Sequence, residues 1–279
     1  MRRKGFTLIE VAMFLAITGM IFVAVAVGTQ NSIWQQRSQD AVQNFTEFLR
    51  EVYSGVSNPQ GKDATGGNSE KAIYGKLIVF GEEIGLDNRD INVEADGQQI
   101  FVYDIVGNAY AGSAHGLNEY DQLENVAVNV VEEKDGNLEP YGMVQQYVPR
   151  WAASIESTEQ LTPEQIGTGA NLFVGSIMIV RLPSSGAIVT RFLNHAIDVN
   201  RAIRNGPTQK TYEGLLTKEL KNFTNVQIDF CVNPSGIGEA NNNRYDVRIA
   251  EGAKNASGIE IVSQDAKDSD GNYLNNCRQ

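Results

Sequence analysis

The chain has 279 residues, enough for one large domain or two small ones plus an anchor. Hydrophobic residues make up 42% of it, which allows a sizeable core, and 34 acidic against 23 basic residues give a net charge of −11. A body this acidic repels polyphosphate, and no Lys/Arg cluster appears beyond the first four residues, so duplex DNA is not expected as a whole-surface partner.

The chain begins Met1-Arg2-Arg3-Lys4-Gly5-Phe6-Thr7-Leu8-Ile9-Glu10 and stays mostly apolar to Val27. A helix of about 20 residues crosses a hydrocarbon core of about 30 Å. Arg2, Arg3 and Lys4 should remain in the cytoplasm, with the body on the other side. Glu10 is the unexpected residue, because a charge near a bilayer core costs at least about 2.5 kcal/mol and calls for a partner. An ordinary signal peptide, cut after Ala24-Val25-Ala26 to leave Val27 first, does not account for it. A plain single-pass anchor does not either.

The run Gly5-Phe6-Thr7-Leu8-Ile9-Glu10-Val11 resembles the prepilin leader of type IV pilins and pseudopilins, and Gly19 falls where pilins commonly carry glycine. The resemblance implies that a prepilin peptidase cuts between Gly5 and Phe6 and that Phe6 becomes an N-methylated N-terminus. It further implies that Glu10 neutralises the amine of a neighbouring subunit's Phe6. Burial of a carboxylate together with an ammonium offsets much of the desolvation either would suffer alone. Cleavage would remove three of the basic residues and leave the body more acidic still. Many pilins have proline where this chain has Val27 beside Gly28, so the usual kink is not expected from proline.

The helical pattern continues past the membrane segment. Residues 31–53 contain neither proline nor glycine, and Trp34, Ala41, Phe45, Phe48, Leu49 and Val52 recur at helical spacing among polar residues. One helix from Phe6 to about Ser54, stopped by Gly55 and Asn58-Pro59, would measure about 70 Å. The division that follows is 1–5 leader, 6–28 transmembrane or filament-core half, 29–54 amphipathic half and 55–279 head.

Residues 58–70 read as a polar loop. Strands are expected at Ile73–Phe80, Gln99–Val106, Val126–Val131, Leu172–Leu182, Ala187–Leu193, Val226–Val232, Tyr245–Ile249 and Ile259–Val262. Pro183-Ser184-Ser185-Gly186 marks a hairpin. Short helices are expected near Pro163–Ile166 and over Tyr212–Phe223, and an exposed loop over Gly107–Asn125. The fold class is α+β, a pilin-like long helix packed on an antiparallel β-sheet head.

Cys231 and Cys277 are the only cysteines, and in an exported domain two cysteines read as one disulfide. It would close a loop of about 45 residues, with about 3–4 kcal/mol of stabilisation in the loop-entropy account. No enzyme constellation is visible. His115 and His195 have no companions at metal-ligand spacing, and there is neither a nucleophile elbow nor a phosphate loop. Asp265, Asp268 and Asp270 form a weak calcium candidate inside the disulfide loop, but an EF-hand register fails because Ala266 and Cys277 fall at ligand positions. No other cofactor is expected.

The function expected is a structural subunit of a type IV pilus, major or minor, serving adhesion, motility or DNA uptake. It would sit in the cytoplasmic membrane before assembly and in an extracellular filament afterwards. Its partners would be other pilins, a prepilin peptidase and an inner-membrane assembly platform. The alternatives are a type II secretion or competence pseudopilin, and a secreted or anchored binding protein with an ordinary signal peptide.

Overall fold

The computed structural model describes residues 8–57, 71–80, 99–108, 117–159, 175–193, 197, 199, 216, 219–233 and 245–263. Helix α1, Leu8–Ser57, is unbroken over 50 residues, about 75 Å. Gly19, Gly28 and Gly55 all lie inside it, so glycine alone, at about 1 kcal/mol each, does not interrupt it. The helix therefore ends three residues later than expected, just before Asn58-Pro59.

Along its second half Ser38, Ala41, Val42, Phe45, Leu49, Val52, Tyr53 and Val56 are buried, a single face at three- and four-residue intervals. Two sheets receive that face. The first has five antiparallel strands in the order β5-β2-β1-β7-β8: β1 Lys71–Phe80, β2 Ile100–Asn108, β5 Gln145–Tyr147, β7 Ser176–Arg181 and β8 Ile188–Leu193. The second has four, in the order β11-β10-β9-β6: β6 Ser154–Glu159, β9 Ile228–Asn233, β10 Tyr245–Ile249 and β11 Ile259–Val262. A separate hairpin pairs β3 Val131–Lys134 with β4 Asn137–Pro140. The described fold is mixed α+β, with an N-terminal apolar helix and antiparallel sheets. The single sheet of the expectation is two sheets sharing the helix.

One core fills the space between α1, one face of the five-stranded sheet and the inner face of the four-stranded sheet. Phe230 is at its centre, 5.5 Å from Phe45 of α1 and stacked 5.4 Å from Phe80 of β1, so one ring touches all three layers. A second core covers the other face of the five-stranded sheet. The alternation of β2 reads directly onto these layers: Ile100 and Val102 enter the first core, Phe101, Tyr103 and Ile105 the second. Asp104, on the first face, pairs with Lys76 directly opposite on β1 at 2.5 Å. Gly75, at a break in the β1–β2 register, lets β7 approach so closely that a Cβ there would lie 2.1 Å from the Ile179 carbonyl oxygen.

Hydrogen bonds fasten the layers. The Tyr53 hydroxyl meets Thr190 Oγ1 of β8 at 2.7 Å, and Thr190 donates to the Ala253 carbonyl at 2.7 Å, which leaves Tyr53 as donor. Arg50 donates to the Ile259 carbonyl at 3.1 Å. On the four-stranded sheet, Arg248 Nε donates to Asp229 at 2.6 Å and Arg248 Nη2 lies 3.5 Å from Asp246, both carboxylates fully buried. Burial by itself would lower the Arg248 guanidinium, but the carboxylates of Asp229, Asp246 and Glu260 outweigh it and raise it above its ordinary value.

Three sequence expectations need correction. Val126–Val131 is not a strand: Val126, Val128 and Val130 are buried alternately, but the backbone turns at Ala127 (φ 50°) and only Asn129 bridges to Val106 of β2. The end of the expected loop Gly107–Asn125 is a helix, α2 Glu119–Asn125, capped by Asn118 whose Oδ1 accepts from Asp121 N at 2.9 Å. Arg191 of β8 pairs with its Glu119, and Ser184 in the β7–β8 turn donates to its Gln122 at 2.6 Å. Within the expected helix Tyr212–Phe223 the described part is a 3₁₀ turn, Leu220–Asn222. The hairpin at Pro183-Ser184-Ser185-Gly186 forms as expected, with Gly186 at φ 67°. The loop 58–70, the helix at Pro163–Ile166 and residues 212–215, 217 and 218 of the expected helix Tyr212–Phe223 lie outside the described residues.

Tyr53→Phe should lower stability by about 1 kcal/mol in thermal melts of the full chain in detergent, because Thr190 loses a donor. Burial raises the Tyr53 hydroxyl pKa well above its usual 10.0. The folded state therefore keeps a proton that the unfolded chain releases, and stability should decline as pH rises above about 10; Tyr53→Phe should flatten that decline. Arg248→Met should cost about 3–5 kcal/mol by removing the charge that balances two buried carboxylates, a loss visible in the same melts.

Candidate functional site

The first half of α1 differs in kind from the second. Over the 19 residues Leu8–Ala26 it is long and apolar enough to cross a membrane, and none of it is buried. Side chains on every side are exposed, including Leu8, Met13, Phe14, Ile17, Met20, Phe22 and Val25. A helix apolar all round is suited to lipid or to the centre of an assembly, not to water. A signal sequence meets the same criterion of length and composition.

The polar groups in this half are handled within the helix. Thr18 Oγ1 donates to the carbonyls of Phe14 at 2.7 Å and Leu15 at 3.2 Å. Thr29 Oγ1 does the same to Val25 at 3.0 Å and Ala26 at 2.9 Å. Hydroxyls satisfied this way can enter an apolar medium without an orphaned donor. Glu10 is the acidic residue of the first turn and is exposed there, beside Ile9 and Val11. That position suits a carboxylate because the helix N-terminus carries partial positive charge.

Of the residues singled out in the sequence, Glu10 is placed by the structure. Gly5 and Phe6, the proposed cleavage pair, lie outside the described residues. Cys231, on β9, is disulfide-bonded, and the chain's other cysteine, Cys277, lies outside the described residues, as do His115, His195, Asp265, Asp268 and Asp270. Among the described residues no group of three His, Cys, Asp or Glu side chains is placed to hold a metal ion.

Sequence reading missed the neck where α1 enters the head. There the Arg37 guanidinium sits 4.8 Å from the ring centre of Trp151, and Trp151 occupies a 3₁₀ turn, Arg150–Ala152, with φ 60° and ψ 31°. Left-handed φ is rare for a bulky side chain. Trp151 stands 114 places from Arg37 in the chain, so only the fold could bring it to α1. Comparison of the chain with protein-family models, with curated proteins and with solved structures finds no match.

Proposed function

We propose that this chain is a structural subunit of a type IV filament, held by α1 in the cytoplasmic membrane with its head outside, then polymerised into an extracellular fibre for adhesion, motility or DNA uptake. The observation that carries the reading is the continuity of α1. One unbroken helix is uncovered and apolar over Leu8–Ala26 and one-sidedly buried from Ser38 onward. A secreted protein cut after Ala26 would discard the apolar half and start in the middle of this helix. A filament subunit uses both halves, the first among its neighbours and the second as the stem of its own head.

Glu10 supplies the specificity. A carboxylate inside an apolar assembly is strongly penalised unless a positive charge is buried with it. The amine released at Phe6 is such a charge, and one axial offset between neighbours brings the two together. Cleavage after Gly5 thus performs two jobs in this scheme: it removes the basic tip that holds the chain in the cytoplasmic face and creates the counter-ion for Glu10. Partners are then a prepilin peptidase, the assembly platform and other filament subunits.

N-terminal sequencing with mass analysis of the mature protein should find methylated Phe6; a start at Val27 or an intact Met1 would refute the proposal. Gly5→Trp should leave the leader attached, with full-length mass and no entry into filaments. Glu10→Val should be cleaved normally, yet enter filaments at least about tenfold less than the wild type, as scored by immunoblot of sheared fibres.

A further inference from the structure

Between α1 and β5, the outermost strand of the five-stranded sheet, is a groove of about 460 Å³, within the range of about 300–1,000 Å³ usual for small-molecule sites. One wall is a stripe of α1 about 10 Å long: Asn44, Glu47, Phe48 and Glu51 follow one another at helical i, i+3, i+4 and i+7 spacing. The other wall is Gln145 and Tyr147, which share one side of β5, and Arg150 just beyond it. Phe48 and Tyr147 stack with ring centres 4.2 Å apart, so a fixed aromatic patch sits among polar groups.

Those polar groups are uncommitted. Among the described residues the side chains of Asn44, Glu47, Glu51, Gln145 and Arg150 make no hydrogen bond and no ion pair. The Tyr147 hydroxyl is buried and has no partner either. Buried hydroxyls are nearly always bonded, so this wall is incomplete as it stands. The contrast is with the sheets, where Lys76 and Arg248 are each matched to carboxylates.

We propose that the groove binds an uncharged pyranose sugar, one or two rings long. The inference goes beyond the filament reading and does not depend on it. Donor and acceptor chemistry is the first argument. Each sugar hydroxyl both donates and accepts, and the carboxamides of Asn44 and Gln145 each offer one acceptor beside two donors, a match for a pair of adjacent hydroxyls. Glu47 and Glu51 add acceptors, and Arg150 adds donors. Shape is the second. A pyranose presents a flat face of C–H groups, which packs on an aromatic surface such as the Phe48–Tyr147 patch. Charge is the third. Two carboxylates attract a cation that Arg150 repels, and Arg150 attracts an anion that the carboxylates repel. A neutral ligand rich in hydroxyls meets no like charge on either wall. Rigidity is the fourth: six of these seven side chains stand on a helix or a strand, so their arrangement is fixed before a ligand arrives.

The test titrates the full chain, in a detergent without a sugar head group, with cellobiose, lactose and mannobiose by calorimetry. Spermidine and glucuronic acid are the cationic and anionic comparisons. The expected result is saturable binding of at least one of the three sugars with a dissociation constant of about 1 mM or tighter. Glu47→Ala and Gln145→Ala remove exposed side chains that hold nothing else, so each should weaken that binding about threefold to tenfold at an unchanged melting midpoint. Saturable binding of none of the three sugars overturns the inference. Sugar binding that survives both substitutions together overturns it too, because the sugar then sits elsewhere. Spermidine or glucuronic acid bound as tightly as the sugars also overturns it, because the groove is then an ion site. All of these results leave the filament reading standing, which rests on the start of the mature chain and on Glu10.

Discussion

Burial of one face of α1 between two sheets is the constraint on which the head depends. Neither sheet supplies a complete core alone: the inner face of the four-stranded sheet and one face of the five-stranded sheet close around Phe45, Leu49, Val52 and Tyr53, and touch each other where Phe80 stacks on Phe230. Each large buried side chain contributes about 1.5–3 kcal/mol, so the stripe is worth many times a single hydrogen bond. The Tyr53–Thr190–Ala253 chain and the Arg50–Ile259 contact add direction to that burial and set the helix's rotation and height.

The same helix carries the opposite condition at its other end. Leu8–Ala26 has no head residues around it and no polar face. A rigid stem thus joins an element that is satisfied within one chain to an element that only lipid or other chains can satisfy. The absence of a break at Gly19 and Gly28 matters here, because an unbroken helix transmits the position of the head to the apolar end. On the filament reading, pairing of Glu10 with a neighbour's amine at one end fixes where the heads fall at the other.

Charge follows the same division. The head carries nearly all of the acidic excess, and its buried carboxylates are countered locally: Asp104 by Lys76, Asp229 and Asp246 by Arg248. The Lys76–Asp104 and Arg248–Asp229 pairs bridge adjacent strands, while Asp246 and Arg248 lie on the same strand, β10. On the filament reading, removing the three basic residues of the leader deepens the imbalance, so like-charged heads repel while apolar stems attract. Such a balance favours association through the stems over clumping through the heads.

Local pattern was enough to read α1, its change from all-round to one-sided apolarity, most of the strands and the turn at Gly186. In each case the signal repeats along a few consecutive residues: period 3.6 for the helix, period 2 for β2, glycine at positive φ for the turn. Glu10 was legible because a carboxylate in an apolar run is locally anomalous. The Val126–Val131 segment misled for the complementary reason: its alternation is real and its valines are buried, but a contact with β2 bends it at Ala127. The seven-residue α2 exists because Arg191 and Ser184, some 60 to 70 places away, hold what propensity alone would leave marginal. The pairing of β6 with β9 joins residues some 70 to 80 places apart, and the meeting of Trp151 with Arg37 and of α1 with the second sheet joins residues more than a hundred places apart. No period or local motif encodes such pairings; they are settled by which apolar faces find each other when the chain closes on itself.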